Sequence, residues 1–468
     1  MKTNRELRGE QQGEFKKEIG VFGGISIIGG IMIGSGIFYV GSYVLQRTHM
    51  SLGQSLLSWV LGGVVCLLGG LCFAELGACE PRAGGMRVYI ERAYHPVWGY
   101  ISGIISCFLS GPGSIAAIAI ALPTALNSYF QFTDLQIKLI AAGLVILFTV
   151  INLFGVKLGA LLANVSMAAK LIPLAIIMFG ALIFGKVTPE ITFAPADGTT
   201  ASFGSMLGMV SFAVVAALWA YDGWVNLNSV AEEVRNPGRN LPLAIIGGIG
   251  AITVLYTLFN FAIYRVLPHE EIVSLINSGE LYLGTVVADR LMGGVGGIVV
   301  TLAMVIAMIS SLNGMVLTFS RVYYSMAADG MFFRSYKKLH PKYGVPTASL
   351  LLQMAICIVF IFLRSLDQLT SLVVFAGQIL VVMCVSAVFA YRKKFPEMQR
   401  PYKVWGYPFT VILALLANIG LMANSVMEDP IICVISVAIM LAGALSYFYF
   451  AKSNKIAPQQ SGNAEKGE

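Results

Sequence analysis

Charge is what this sequence has least of. Only 12% of its 468 residues are Asp, Glu, Lys or Arg, about half the share of an ordinary soluble domain. A normally polar, water-facing surface cannot be built from that supply, and an additional soluble domain has little room. Histidine is equally sparse: His49, His95, His269 and His340 are scattered through loops, which leaves no histidine-based metal or catalytic cluster. The seven cysteines, at 66, 72, 79, 107, 357, 384 and 433, fall in or at the edges of apolar stretches. They show neither metal-ligand spacing nor pairing in outer loops, so no disulfide framework is indicated. The first twenty residues are polar and lack the small-residue cleavage site of a secretory signal. The net charge of +7 is spread over many short loops, which argues against a nucleic-acid partner. No metal and no cofactor is expected.

What the chain has in abundance is apolar length. It is 57% hydrophobic, with a mean hydropathy of +0.78. Twelve apolar segments long enough to cross a bilayer are read at about 19–45, 53–78, 97–127, 136–155, 160–185, 205–231, 243–266, 294–325, 346–364, 367–391, 408–427 and 431–450. The lipid bilayer is therefore the expected surrounding. With the N-terminus inside, cytoplasmic segments hold 24 of the 31 Lys and Arg residues and outer loops hold six. This asymmetry predicts a multi-pass protein of the cell membrane with both termini in the cytoplasm. Residues 1–18 are expected to form a cytoplasmic N-terminal segment, and residues 451–468, rich in polar residues such as Gln459, Gln460, Ser461 and Asn463, a disordered tail.

The segments are organised around Gly34-Ser35-Gly36-Ile37-Phe38, in the middle of the first. Lipid cannot satisfy freed backbone groups, so broken backbone at that depth belongs beside protein or a watery cavity. If the helix unwinds at Gly34 and Gly36, a half-helix starts near Ile37. Its free N–H groups and positive dipole end suit a carboxylate, and the carbonyls before the break suit an ammonium. The competing reading is close packing through small residues such as Gly30 and Gly34. A second interruption, Trp219-Ala220-Tyr221-Asp222-Gly223-Trp224, lies in segment six. Interrupted helices one and six point to a five-plus-five inverted repeat with its site at the membrane midplane. Helices 1–5 would span 19–185, helices 6–10 would span 205–391, and helices 11–12 would lie outside the repeat at 408–450. No residue-level repeat aligns the halves by eye, so the pairing rests on position.

One cation lies inside a span. Lys170, in Ala168-Ala169-Lys170-Leu171-Ile172-Pro173, is a functional-site hypothesis by default. In that reading its ammonium replaces a bound Na⁺, touching segment-one carbonyls and a segment-eight hydroxyl, Ser310 or Ser311. The alternative is snorkelling to the interface. Asp222 has two readings as well, balancing the polar backbone at its break or touching substrate.

The combination Gly34-Ser35-Gly36-Ile37-Phe38, Phe73-Ala74-Glu75-Leu76 with Pro81 and Gly84-Gly85, Lys170-Leu171-Ile172-Pro173, Ala220-Tyr221-Asp222-Gly223-Trp224, Glu232-Glu233 with Asn236-Pro237 and Leu241-Pro242, and Arg400-Pro401-Tyr402-Lys403-Val404 resembles the amino acid–polyamine–organocation superfamily. Within it the chain looks most like the bacterial branch of the L-type amino acid transporter family, from about Glu18 to Phe450. The resemblance implies a sodium-independent exchanger of neutral L-amino acids with the inverted-repeat fold. It implies that Ser35, Gly36 and Ile37, at the Gly34 break, donate N–H groups to the substrate carboxylate. The carbonyls of Met32, Trp219 and Ala220, with Tyr221 and Asp222 alongside, would receive its ammonium. Trp219 would gate the site, and Lys170 would occupy the ion position of sodium-coupled relatives. Two departures stand out. Arg87 lies where the family has an aromatic, and the outer loop from Asn127 to Lys138 lacks the cysteine through which animal members bond a glycoprotein. A disulfide-linked heavy chain is not expected.

Other features carry paired readings. Glu75 is either an inner-gate partner for a cytoplasmic cation or a solvated helix end. Glu232, Glu233, Arg235 and Arg239 are a gate network or ordinary loop charge. Ser110-Gly111-Pro112-Gly113-Ser114 and Asn313-Gly314 are breaks lining a side-chain pocket, or local kinks. Tyr94, Tyr129, Tyr264 and Tyr407 fit an interfacial aromatic belt. The function expected is exchange of small neutral L-amino acids such as alanine and serine by alternating access. The rivals are a proton-coupled symporter of the same fold with Lys170 as proton carrier, and an amino acid sensor that moves nothing. An enzyme is not expected, since no catalytic set lies at depth.

Overall fold

A computed structural model describes residues 17, 19–34, 36–81, 85–154, 171, 173–196 and 202–453. Among these no β-strand forms; Ile19 and Val234 make an isolated parallel bridge. The helices are α1 (Val21–Met32), α2 (Gly36–Arg47), α3 (Leu52–Cys79), α4 (Met86–Ala93), α5 (Pro96–Ile105), α6 (Gly111–Ala125), α7 (Asp134–Leu153), α8 (Pro173–Phe184), α9 (Phe203–Tyr221), α10 (Pro237–Tyr264), α11 (His269–Asn277), α12 (Leu283–Met292), α13 (Gly294–Ala328), α14 (Thr347–Leu363), α15 (Leu366–Lys394), α16 (Phe409–Glu428) and α17 (Pro430–Ser453). Nine spans among the described residues are long and apolar enough to cross a membrane, or ten if α1 and α2, bent by 59°, count as one. The shorter apolar helices α8 and α14 occupy two further expected segments.

The chain divides into two compact units. The first comprises Met1–Tyr94, Ile172–Val300 and Gln378–Ser425, and the second His95–Leu171, Thr301–Gly377 and Val426–Glu468. In the first unit α10 packs along α3 and α1, and α9 along α3 and α2. A glycine stripe on α3 makes this approach possible. A Cβ on Gly63 would overlap Thr253, one on Gly70 would lie 2.7 Å from Ile245, and one on Gly77 would lie 2.8 Å from Asn228. With no side chain in the way, backbones meet at a distance no larger residue permits.

In the second unit α6, α7 and α14 pack together, and α17 lies on α5. Between α5 and α6 the chain widens into a π-helical turn, Ser106–Ser110. Pro112 follows and has no N–H to give. A Cβ on Gly111 would lie 2.7 Å from the Ser106 carbonyl and 2.8 Å from Phe319, so the run is a tightly packed widened turn. Asn313-Gly314 is not a break, because α13 runs through it. Asn313 is buried and accepts a bond from Asn152 Nδ2 at 2.8 Å.

The aromatic belt is also revised. Tyr129 is exposed, but Tyr264 is buried and shares a 2.8 Å hydrogen bond with Ser55. Tyr94 bonds inward to Ser386 at 2.7 Å, and Tyr407 lies under the Arg392 guanidinium at 3.6 Å.

Candidate functional site

The site is built from the ends of two interrupted helices in the first unit. α1 stops because Ile33 leaves helical geometry at ψ 78°, and the Gly34 N–H turns back to the Met32 carbonyl at 2.7 Å. α2 restarts at Gly36, with the N–H groups of its first turn free of intrahelical acceptors. α9 stops at Asp222, which is extended and donates its N–H to the Trp219 carbonyl at 3.3 Å. Gly223 follows at φ 123°, a conformation suited to glycine. The chain then continues as a 3₁₀ helix, Trp224–Glu233.

The two interruptions meet. A Cβ on Gly36 would lie 3.2 Å from the Trp219 ring and 3.3 Å from Ala220 Cα, while one on Gly223 would run into Ile31. Both glycines are thus required where the backbones touch. Below the breaks, the Ile19 N–H donates to the Glu233 carbonyl at 3.0 Å and the Arg235 N–H to the Ile19 carbonyl at 2.9 Å. The approach to α1 and the end of the 3₁₀ helix are therefore tied by backbone.

Three tyrosines fix this geometry. Tyr256 of α10, fully buried, donates its one hydroxyl proton across the Met32 and Ala220 carbonyls, at 2.6 and 3.1 Å. It joins the two breaks directly. Tyr221 donates to the Trp59 carbonyl at 2.8 Å, and its ring lies 5.2 Å from that of Tyr256. Trp219 is buried and donates its indole N–H to the Tyr39 hydroxyl at 2.6 Å. The Trp219 ring is thereby held in one orientation.

Of the residues expected from sequence, Met32, Gly34, Gly36, Ile37, Trp219, Ala220, Tyr221 and Asp222 lie on these two breaks. Met32, Ile37, Trp219, Ala220 and Tyr221 are buried, while Asp222 is exposed. The Met32 carbonyl already accepts from Gly34 and Tyr256, which uses both its lone pairs. Ala220 is the freer acceptor. Ser35 and Lys170 lie outside the described residues. Ser310 and Ser311 are half-buried on α13 in the second unit. Sequence reading passed over Tyr256 because a tyrosine in an apolar helix looks like core; its spacing carries no mark of its partners.

At the other end of α3, Glu75 is 2% exposed. It accepts from Arg392 Nε at 2.8 Å and Nη2 at 2.6 Å, and from the Val404 N–H at 2.6 Å. The reading as a solvated helix end is excluded. Arg400 spans the Tyr391, Phe395, Pro396 and Met398 carbonyls, capping α15 with its fork of donors. Glu80 is held beside it by Arg92 and by the Tyr391 hydroxyl, the latter at 2.7 Å. Asn228 donates to the Phe73 carbonyl at 2.8 Å and to Tyr89 at 3.2 Å. Burial pushes the Tyr89 phenol up, which keeps it neutral.

Residues 19–445 match the family model described as amino acid permease. The chain is 33% identical to the serine/threonine exchanger SteT of Bacillus subtilis (strain 168), over 94% of this chain and 98% of that one. It is 32% identical to the b(0,+)-type amino acid transporter 1 of Mus musculus, over 93% and 88%. It is 29% identical to the cystine/glutamate transporter of Homo sapiens, over 96% and 88%.

Proposed function

The chain belongs to the amino acid permease family of the amino acid–polyamine–organocation superfamily, and from that premise we propose that it exchanges small neutral L-amino acids, such as alanine and serine, across the cell membrane without sodium. The observation that carries the reading is the contact of the two helix breaks, Gly36 against Trp219 and Ala220. One break presents the N-terminal end of α2 and the other the carbonyls that end α9, so a zwitterion finds complementary charge at both ends.

In this reading Ser35, Gly36 and Ile37 donate to the substrate carboxylate. Ala220, with Trp219, takes the ammonium, the Met32 carbonyl being already occupied by Gly34 and Tyr256, and Trp219 covers the bound molecule. Lys170, with Ser310 or Ser311, supplies the fixed cation that replaces Na⁺. The twelve-helix, five-plus-five arrangement over 19–185 and 205–391, with helices 11–12 over 408–450 and both termini cytoplasmic, completes the proposal. The protein performs no covalent chemistry and needs neither cofactor nor disulfide-linked heavy chain. The relative named for serine and threonine supports small neutral substrates. The one named for cystine and glutamate shows that family membership alone does not set the side chain accepted.

The test is uptake of labelled alanine or serine into proteoliposomes, at symmetric pH and without sodium, with and without unlabelled amino acid inside. Uptake confined to preloaded vesicles is expected. Uptake into empty vesicles driven by a pH gradient would replace exchange with proton coupling, and no uptake of any neutral amino acid would overturn the substrate class.

A further inference from the structure

The loop between α13 and α14 carries a charge pattern that transport leaves unused. From Gly330 to Leu366 the sequence contains no acidic residue, while Arg334, Lys337, Lys338 and Lys342 stand close together. All four side chains are exposed, and among the described residues none has a carboxylate partner. Lys342 lies 5.3 Å from the ring of Tyr343. Two apolar side chains stand among them, Phe333 at 54% and Leu339 at 44% exposure.

The loop is built. Phe332 is buried with Tyr323, Met326 and Phe450, and the Tyr336 ring packs on it at 4.9 Å. Backbone bonds from Tyr336 to the Phe333 carbonyl, from His340 to Val345 and from Gly344 to His340 close its turns at 3.1, 2.8 and 2.9 Å. Among the described residues, cations without a carboxylate partner and exposed apolar groups are thus displayed on a fixed scaffold where two apolar helices end.

We propose that this loop is a docking surface for anionic phospholipid headgroups. The phosphates meet Arg334, Lys337, Lys338 and Lys342, and Phe333 and Leu339 enter the acyl boundary beside them. The charge complementarity selects an anionic lipid surface, and the cytoplasmic placement expected for this loop puts it at the leaflet where such lipids concentrate. Each cation near such a surface contributes a preference of roughly fivefold, screened by salt over about 10 Å at 0.1 M.

The full chain, reconstituted in phosphatidylcholine, is probed with spin-labelled phosphatidylglycerol against spin-labelled phosphatidylcholine, and the immobilised fraction of each is read at low and high salt. Wild type should hold the anionic lipid preferentially at low salt and lose that preference at high salt. The variant Arg334→Gln/Lys337→Gln/Lys338→Gln/Lys342→Gln should lose it at least tenfold while still binding amino acid. A wild type without a salt-sensitive preference overturns the proposal, even if the quadruple variant does not fold. So does an equal loss from Lys337→Gln/Lys338→Gln and from Lys393→Gln/Lys403→Gln, which reports diffuse surface charge. Amino acid binding, measured on the same samples, keeps this outcome separate from the transport reading.

Discussion

A single hydroxyl joins the two halves of the candidate site. Tyr256 donates to carbonyls on both breaks, and its ring is wedged between Trp59 and Tyr221. Tyr256→Phe keeps the ring and removes only the bridge, so the fold should survive. A lost hydrogen bond that leaves buried carbonyls short of a partner costs about 1–3 kcal/mol. Substrate affinity, read by calorimetry on purified protein, should fall about tenfold; an unchanged affinity would show that the breaks hold their spacing without the bridge. Gly36→Val tests the opposite face of the same geometry. Its Cβ would press on Trp219 and Ala220, and its branches would fill space beside the free N–H groups. Binding should be lost while detergent-solubilised protein still elutes as one species. The glycines and Asp222 were legible in the sequence because each is out of place in an apolar run. Tyr256 was not, because a residue whose task lies in its hydroxyl shares its apolar body with any core aromatic.

Long-range pairs between elements explain what else the sequence concealed. Glu75 on α3 and Arg392 on α15 lie 317 positions apart, so no local pattern joins them, and a lone glutamate near a helix end reads equally well as solvated. In the fold it is the hub of a clasp that also takes the Val404 N–H and so fastens residues beyond α15 onto α3. The Arg-Pro pair of the 400–404 motif has a physical account in the same place: Arg400 adds donors to the Tyr391 and Phe395 carbonyls at the end of α15, and Pro401 packs against Gly238, where no larger residue would fit. Glu75→Gln leaves a guanidinium that is only 22% exposed without its counter-charge. Breaking a buried pair costs about 3–5 kcal/mol, and the partial exposure of Arg392 places this one at about 3 kcal/mol. Thermal unfolding in detergent should drop by several degrees. Glu75→Gln/Arg392→Gln should recover part of the loss, since the closer of the two cations beside Glu75 is then gone and only Arg400, at 3.9 Å, loses its carboxylate; a double variant no better than the single would assign the cost to the Arg400 and Val404 contacts.

At the scale of the whole molecule, apolar length alone was enough to mark the nine spans found among the described residues, because a bilayer demands long uninterrupted apolar runs. The loop helices α4, α11 and α12 were not anticipated, since short amphipathic helices lack the length that makes a span legible. The remaining question is why a carrier of this kind would exchange rather than leak. In the proposed exchange, an empty site leaves the first-turn N–H groups of α2 and the Ala220 carbonyl without a substrate to bond, and closing over them strands polar groups away from water. On the proposed reading a bound zwitterion would satisfy both ends, so the closed intermediate would be reached more easily when loaded. A difference of about 1.4 kcal/mol in that barrier gives a tenfold difference in rate. The role proposed for Lys170, a fixed cation in place of Na⁺, is tested by the same measurement. Efflux of labelled alanine from vesicles into medium containing alanine should therefore be at least tenfold faster than into medium without it, and Lys170→Ala should abolish that exchange while the protein remains folded. Equal efflux with and without external alanine would mean that the empty site crosses freely. Wild-type exchange by a well-folded Lys170→Ala protein would reduce that lysine to a side chain reaching for the interface.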